Sequence, residues 1–254
     1  MVRLAYEIWS SSNRFCCWGR VMCGPFEDIG STCCVWAIIV LPSAMFFSMV
    51  APKMWVSSGP AYPLVVAYLF VSCVVLLGLT SFTDPGVLPR TDAPDPPPNK
   101  RVRTVVVEGE PYELRWCHTC KVWKPPRASH CSSCDNCVLA FDHHCPFVGN
   151  CVGLRNYAYF CGFLLTVCLL GAAVLTGLMG SSADAAHERL RPQHAAAEET
   201  PVANVAPTIF AFAGTVLGPL VLPVIVLPMY HALLPATAHP TNPPWAPLHP
   251  APPP

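Results

Sequence analysis

Cys117-His118-Thr119-Cys120, then His130-Cys131-Ser132-Ser133-Cys134-Asp135-Asn136-Cys137, then Asp142-His143-His144-Cys145-Pro146 and Asn150-Cys151, is the stretch on which the fold turns. Seven of the chain's 15 cysteines fall between positions 117 and 151. CxxC spacing aims two sulfurs at one point across a tight turn, which is the signature of a tetrahedral metal site. Small apolar thiols used only for packing have no reason to recur in this register. The stretch from 116 to 151 also has few aliphatic side chains. It cannot build a core of its own, and small domains of that kind need a metal or disulfides.

Outward from this block the chain becomes apolar. Of its 254 residues, 53% are hydrophobic and 12% charged, against roughly 25% charged in an average soluble domain. Uncharged runs occupy Thr32 to Val50, Ala61 to Phe82, Ala158 to Met179 and Ile209 to Met229. Each is close to the roughly 20 residues a helix needs to cross a bilayer. The sequence therefore predicts an all-α polytopic membrane protein. Four transmembrane helices flank a cysteine-rich domain of short zinc-stapled hairpins between helices two and three. Pro42, Pro219, Pro223 and Pro228 predict kinks in the first and fourth spans. A net charge of zero excludes a global nucleic-acid footprint.

Nine of the 15 basic residues lie between spans two and three: Arg90, Lys100, Arg101, Arg103, Arg115, Lys121, Lys124, Arg127 and Arg155. The positive-inside bias puts that segment, and with it both termini, in the cytosol. The cytosol is reducing, so its clustered cysteines read as metal or catalytic groups rather than disulfides. The lead is polar and mixed, with no cleavable signal, and the first span is expected to act as an uncleaved anchor.

The expected organisation is a cytosolic N-terminal segment (1–31), spans one and two (32–82) and the zinc domain (83–157). Spans three and four with a luminal loop follow (158–229), then a Pro-rich cytosolic tail (230–254). A tight loop is expected at 51–60, a turn at Asp84-Pro85-Gly86, a stiff linker through Pro94, Pro96, Pro97 and Pro98, a short strand at Val102 to Val107, and a polar loop over 181–204.

With Cys145 set aside, six cysteines and two histidines complete two Cys3His zinc sites with nothing left over. His118 sits inside the Cys117/Cys120 turn and is read as pointing outward. His143 and His144 are adjacent, so their side chains point different ways: one serves as a ligand, the other as a free base. The free imidazole takes the proton of Cys145 while Asp142 holds and polarises it. A thiol beside an imidazolium and near zinc is reactive at neutral pH. Cys145 is tethered within about 45 Å of the third span even if the chain between is extended. It therefore works at the membrane face, where a substrate with a long apolar tail gains about 0.8 kcal/mol per buried CH₂.

In its motifs the chain resembles the DHHC-type zinc-dependent protein S-acyltransferases. They are Cys117-His118-Thr119-Cys120, Pro125-Pro126-Arg127, His130-Cys131-Ser132-Ser133-Cys134-Asp135-Asn136-Cys137, Asp142-His143-His144-Cys145-Pro146-Phe147, and Asn150-Cys151-Val152-Gly153 with Asn156. Tyr6-Glu7-Ile8-Trp9, Asn13-Arg14-Phe15, Gly19-Arg20 and Gly24-Pro25 in the lead resemble the plant-type subfamily. The resemblance implies a palmitoyltransferase working in two steps. Cys145 takes a long-chain acyl group from palmitoyl-CoA or a similar acyl-CoA, then passes it to a cysteine of a membrane-associated protein at the cytosolic face.

It further implies His143 as base, Asp142 as its orienting group and His144 as a ligand. One structural zinc would be held by Cys117, Cys120, His130 and Cys137, the other by Cys131, Cys134, His144 and Cys151. Lys124, Arg127 and Phe147 are placed at the acyl-CoA, the two cations toward its phosphates. Ordinary surface charge is the competing reading of Lys124 and Arg127. The implied partners are the lipid bilayer, acyl-CoA and protein substrates, with no nucleic acid; the implied location is an endomembrane or the plasma membrane.

Two positions depart from the pattern: Phe147 replaces the usual Trp, and no Thr-Thr-x-Glu follows the fourth span. The rival reading, a catalytically impaired zinc-bearing membrane adaptor of the same family, differs in not depending on Cys145. Cys16, Cys17 and Cys23 are candidate palmitoylation sites in the lead. Cys33, Cys34, Cys73, Cys161 and Cys168 are expected to be packing residues of the spans, and Trp55, Tyr62 and Tyr157 interfacial ones.

Overall fold

The structure, a computed structural model, describes residues 10–107 and 110–189. Among the described residues three helical segments are long and apolar enough to cross a membrane: Phe26–Ser57, Ala61–Phe82 and Tyr157–Ser181. They identify an integral membrane protein. Apolar side chains cover them all round, which is the pattern of helices solvated by lipid. Leu64, Val65, Val71 and Val75 of the second segment are each more than half exposed, a surface no aqueous helix would present. The expected fourth span at 209–229 and the tail after it lie outside the described residues.

Helix α1 (Ile29–Met45) passes through one wider π turn (Phe46–Val50) into α2 (Ala51–Ser57). The stretch 51–60, expected to be a loop, is helical as far as Ser57. Pro52 sits in the first turn of α2, where its missing N–H costs nothing. The π turn lies immediately before this proline, which has no N–H to offer the carbonyl of Ser48. The break falls at Ser58-Gly59-Pro60, with Gly59 at φ +89°, a conformation open to glycine. Helix α3 (Ala61–Phe82) follows, and α4 (Tyr157–Arg189) continues past Met179 through the first nine residues of the expected polar loop.

The three segments share one core. Phe46, Val66, Leu77, Phe160, Leu164, Val174 and Leu178 are buried in it. Gly177 admits the Phe46 ring: a Cβ there would lie 2.6 Å from Phe46 Cε2. Tyr62 donates its hydroxyl to the carbonyl of Ala173 at 2.7 Å, so it joins α3 to α4 rather than sitting free at the interface. Cys73 is buried as expected, whereas Cys33 and Cys34 are exposed and do not pack within the bundle.

The spans are helical, and between them the expected short hairpins are built of β-strands. There the chain forms strands β3 (Val87–Leu88), β4 (Val102–Val107), β5 (Glu110–Cys117), β6 (Val122–Lys124), β7 (Ser129–Cys131), β8 (Asn136–Val138), β9 (His143–Cys145) and β10 (Asn150–Val152). The lead adds a hairpin of β1 (Arg14–Cys16) and β2 (Val21–Cys23). The sheets run β4-β5-β6, β3-β8-β7 and β9-β10. Val102–Val107 is thus a strand, and its partner is the long β5.

The Pro-rich linker is not a free spacer. Asp95 accepts the Trp116 indole N–H at 2.9 Å and pairs with Lys121 at 2.9 Å. These contacts hold the Trp116 hydrogen bond first, then Lys121, against the Asp95 carboxylate and draw it down to about 2.

Three polar side chains, Asp84 and the buried Asn150 and Asn156, join this β region to α3. Asp84 Oδ1 accepts the N–H of Gly86 and of Val87, making the expected turn. Asn150 donates to the carbonyls of Ser81 and Thr83, both at 3.0 Å. Asn156 donates to those of Thr80 at 3.0 Å and Cys151 at 2.8 Å. The last carbonyls of a helix have no partner within it, and the two asparagines supply one.

Candidate active site and metal centres

Strand register distributes the Cys/His motifs. Successive side chains of a strand point to opposite faces. On β7, His130 and Cys131 therefore diverge; on β9, His143 and Cys145 share one face and His144 takes the other. Antiparallel pairing sets His130 opposite Cys137 and His144 opposite Cys151. The CxxC turns complete each set: Lys121 closes one at φ +55° and Asp135 the other at φ +52°.

Two clusters result, Cys117, Cys120, His130, Cys137 and Cys131, Cys134, His144, Cys151, the donor atoms of each within 4.8 Å of one another. His130 Nδ1 lies 3.6, 3.4 and 3.8 Å from the sulfurs of Cys117, Cys120 and Cys137. His144 Nδ1 lies 3.4 and 3.6 Å from those of Cys134 and Cys151. A tetrahedral zinc with bonds of about 2.3 Å to sulfur and 2.0 Å to nitrogen needs edges of roughly 3.5–3.8 Å. The donor sets fit that ion in type, number and spacing. Hydrogen bonding between Cys120 and Cys137 lowers the first thiol and raises the second. His118 belongs to neither cluster; its Nδ1 lies 3.5 Å from Asp95.

On the opposite face of β9, His143 Nδ1 lies 2.6 Å from Asp142 Oδ2. Hydrogen bonds with Asp142 and then with the Cys145 thiol raise the imidazole to about 9, against a smaller opposing effect of burial. The ring also meets Phe160 of α4 edge-on, centroids 5.3 Å apart. Cys145 is buried at 9% exposure in the core shared with all three spans. Carboxylate, imidazole and thiol are thus in line, with the thiol against an apolar floor.

Of the residues expected at the acyl-CoA, Arg127 is exposed and its carbonyl accepts the N–H of Phe141 at 3.0 Å, one residue from Asp142. Lys124 is farther along, paired across the strands with Arg115. Phe147 is 57% exposed. In the lead, Cys16 and Cys17 are exposed and Cys23 is buried.

Motif reading missed one residue here. Asp28, at the entry to α1, places Oδ2 3.0 Å from His144 Nε2. A lone Asp 116 positions away offers no spacing signal.

A sequence model described as DHHC palmitoyltransferase matches residues 110–238. Palmitoyltransferase ZDHHC14 of Homo sapiens is 41% identical over 188 residues, 66% of this chain and 38% of that protein. Palmitoyltransferase ZDHHC9 of Danio rerio is 42% identical over 185 residues, 65% of this chain and 47% of that protein. Palmitoyltransferase ZDHHC18 of Homo sapiens is 39% identical over 189 residues, 68% of this chain and 48% of that protein. The match therefore spans less than half the length of each of these relatives.

All three are vertebrate enzymes, which corrects the expected plant-type subfamily. Asn13-Arg14-Phe15 and Gly19-Arg20 belong to the β1–β2 hairpin, whose turn has Cys17, Trp18 and Gly19 at positive φ. Residues demanded by a local turn say little about lineage. With the family model covering half of its length and the Cys/His motifs gathered into two ordered clusters, the chain belongs to the DHHC palmitoyltransferase family.

Proposed function

We propose that the chain is a protein S-palmitoyltransferase working by two thioester exchanges at Cys145. The observation that carries this reading is the Asp142–His143–Cys145 line, closed at 2.6 Å on the carboxylate side and set on the apolar core of the spans. His143 takes the Cys145 proton, held in orientation by Asp142. The thiolate attacks the thioester carbonyl of a long-chain acyl-CoA, and the CoA sulfur leaves, receiving the proton from His143. The acyl group then sits on Cys145, its tail against the helix core. The thiol of a cysteine on a membrane-associated protein gives its proton to His143, attacks this second thioester and leaves with the acyl group, and His143 returns that proton to the departing Cys145 sulfur.

Cys117, Cys120, His130 and Cys137 would hold one zinc and Cys131, Cys134, His144 and Cys151 the other. Bound there, zinc supplies no step of the transfer; it fixes the strands that aim His143 and Cys145. Arg127, beside the strand entering the site, and Lys124, facing Arg115, would meet the CoA phosphates. Phe147 would lie against the acyl-CoA at the exposed rim. The basic residues of the segment between α3 and α4 support a cytosolic placement for the zinc domain of residues 83–157, with ER, Golgi or plasma membrane as its location. The fourth span and the Pro-rich tail complete the proposed layout.

The test is metabolic labelling with an alkyne fatty acid on wild type and Cys145→Ser, followed by hydroxylamine. The reading expects a label that hydroxylamine removes and the variant lacks. Equal labelling of both would move the lipid to other cysteines, such as Cys16 or Cys17, and return the adaptor reading.

A further inference from the structure

The second cluster has a partner outside every Cys/His motif. Asp28 Oδ2 and His144 Nε2 are 3.0 Å apart, with side chains 11% and 13% exposed. His144 turns its other nitrogen, Nδ1, to Cys134 and Cys151. An imidazole that offers a lone pair to a cation at Nδ1 carries its proton at Nε2. That N–H points at the Asp28 carboxylate. A carboxylate in this position fixes the ring's rotation and tautomer and strengthens the ligand nitrogen. A buried carboxylate is costly without such a donor.

The first cluster provides an internal comparison. His130 Nε2 faces Asp135 at a looser 3.6 Å, and Asp135 is shared with Arg90. Asp135 is also local, inside the CxxCDxC run, whereas Asp28 arrives from the start of the first span. Around it the same face of the chain grips the strand end beyond the nucleophile. Gly24 donates its N–H to the Gly149 carbonyl at 2.7 Å. Thr32, one helical turn after Asp28, donates its hydroxyl to the Pro146 carbonyl at 3.0 Å. A Cβ at Gly24 would come within 2.8 Å of the Gly149 oxygen and 3.1 Å of Asp28 Oδ2, so only glycine lets the two segments close.

We infer that Asp28 is a positioning residue for the cluster containing His144, through which the entry of the first span sets the geometry of the strand carrying His143 and Cys145. The inference rests on reading the two clusters as zinc sites. Its test is metal binding by the full chain in detergent, for wild type, Asp28→Asn, Asp28→Glu and Thr32→Ala. Competition with a chromophoric chelator gives affinity, and cobalt substitution gives the visible absorption of each tetrahedral site.

Wild type holding two ions is expected. In Asp28→Asn one ion is bound as in wild type and the other about 10–100-fold more weakly, with a shifted cobalt band for that site alone. Thr32→Ala, which loosens the same face without touching His144, keeps both affinities. Where Asp28→Asn does not fold, Asp28→Glu is the variant to read: it keeps both ions and shifts the cobalt band of one. Wild-type affinities and spectra in both Asp28 variants, or equal weakening in Thr32→Ala, would overturn the inference while leaving the zinc reading intact. Fewer than two ions on wild type would overturn the zinc reading and the inference with it.

Discussion

Replacing Asn156 by alanine tests whether the junction between the Cys/His-rich region and α3 is held by side-chain caps. Asn156 is fully buried. Its amide donates to the carbonyls of Thr80 and Cys151, and its Oδ1 accepts the N–H of Gly153 at 2.9 Å. Asn156→Ala strands three backbone groups away from water. Each orphaned buried group costs about 1–3 kcal/mol. Carbonyls, with two lone pairs, fall toward the low end, so the expected loss is about 3–5 kcal/mol. At about 2–4 °C per kcal/mol for a chain of this size, the midpoint of thermal unfolding should fall by about 6–20 °C. Heating detergent-solubilised protein and following the monodisperse fraction reads this directly. Acyl labelling of Cys145 should fall in parallel, because β10 carries Asn150 opposite Cys145. A drop of less than about 3 °C would refute the reasoning: at that size the three bonds contribute no more than an exposed set.

His143→Ala should lower acyl-enzyme formation by about 10²–10⁴-fold while leaving bound zinc unchanged; loss of metal in this variant would place His143 among the ligands instead. In Gly153→Ala the new Cβ would sit 2.6 Å from Val138 Cγ1 and 2.7 Å from the Pro85 carbonyl, an overpacking cost of about 1–3 kcal/mol or more visible as a lower thermal midpoint. Asp95 is held down to about 2 by Trp116, then Lys121, with His118 also facing it. A depressed carboxylate contributes above its unfolded value and loses that contribution as pH falls through the folded one. Trp fluorescence of wild type and Asp95→Asn should therefore differ at neutral pH and converge as pH falls from about 4 to about 2; a difference that persists unchanged would remove Asp95 from the contact.

Much of this protein was legible from adjacency alone. The spans announce themselves because bilayer thickness converts directly into a run of uncharged residues, and α3 begins and ends where its apolar run does. The ligand types follow from CxxC spacing, since a tight turn between two sulfurs is a local property. Asp142, His143 and Cys145 are near neighbours, so their grouping needed no fold. The loop expected at 51–60 shrank because Pro52 can start a helix as readily as stop one, and only the packing around α1 and α2 decides which. The strand content between the spans was under-read because β5 gains its order by pairing with β4 and β6 rather than from its own pattern.

What lay beyond the sequence is which distant groups meet. Counting yields eight ligands but no partition; the β7–β8 and β9–β10 registers send His130 and Cys131, neighbours in the chain, to different clusters. The same register separates His143 from His144. Asp28 on His144, and Asn150 and Asn156 on the end of α3, are joined only by tertiary packing across 116, 69 and 76 positions. Local chemistry is written in residue order because the covalent chain enforces it. Long-range partners are chosen by burial, where every polar group taken from water must find whichever donor or acceptor the fold brings beside it.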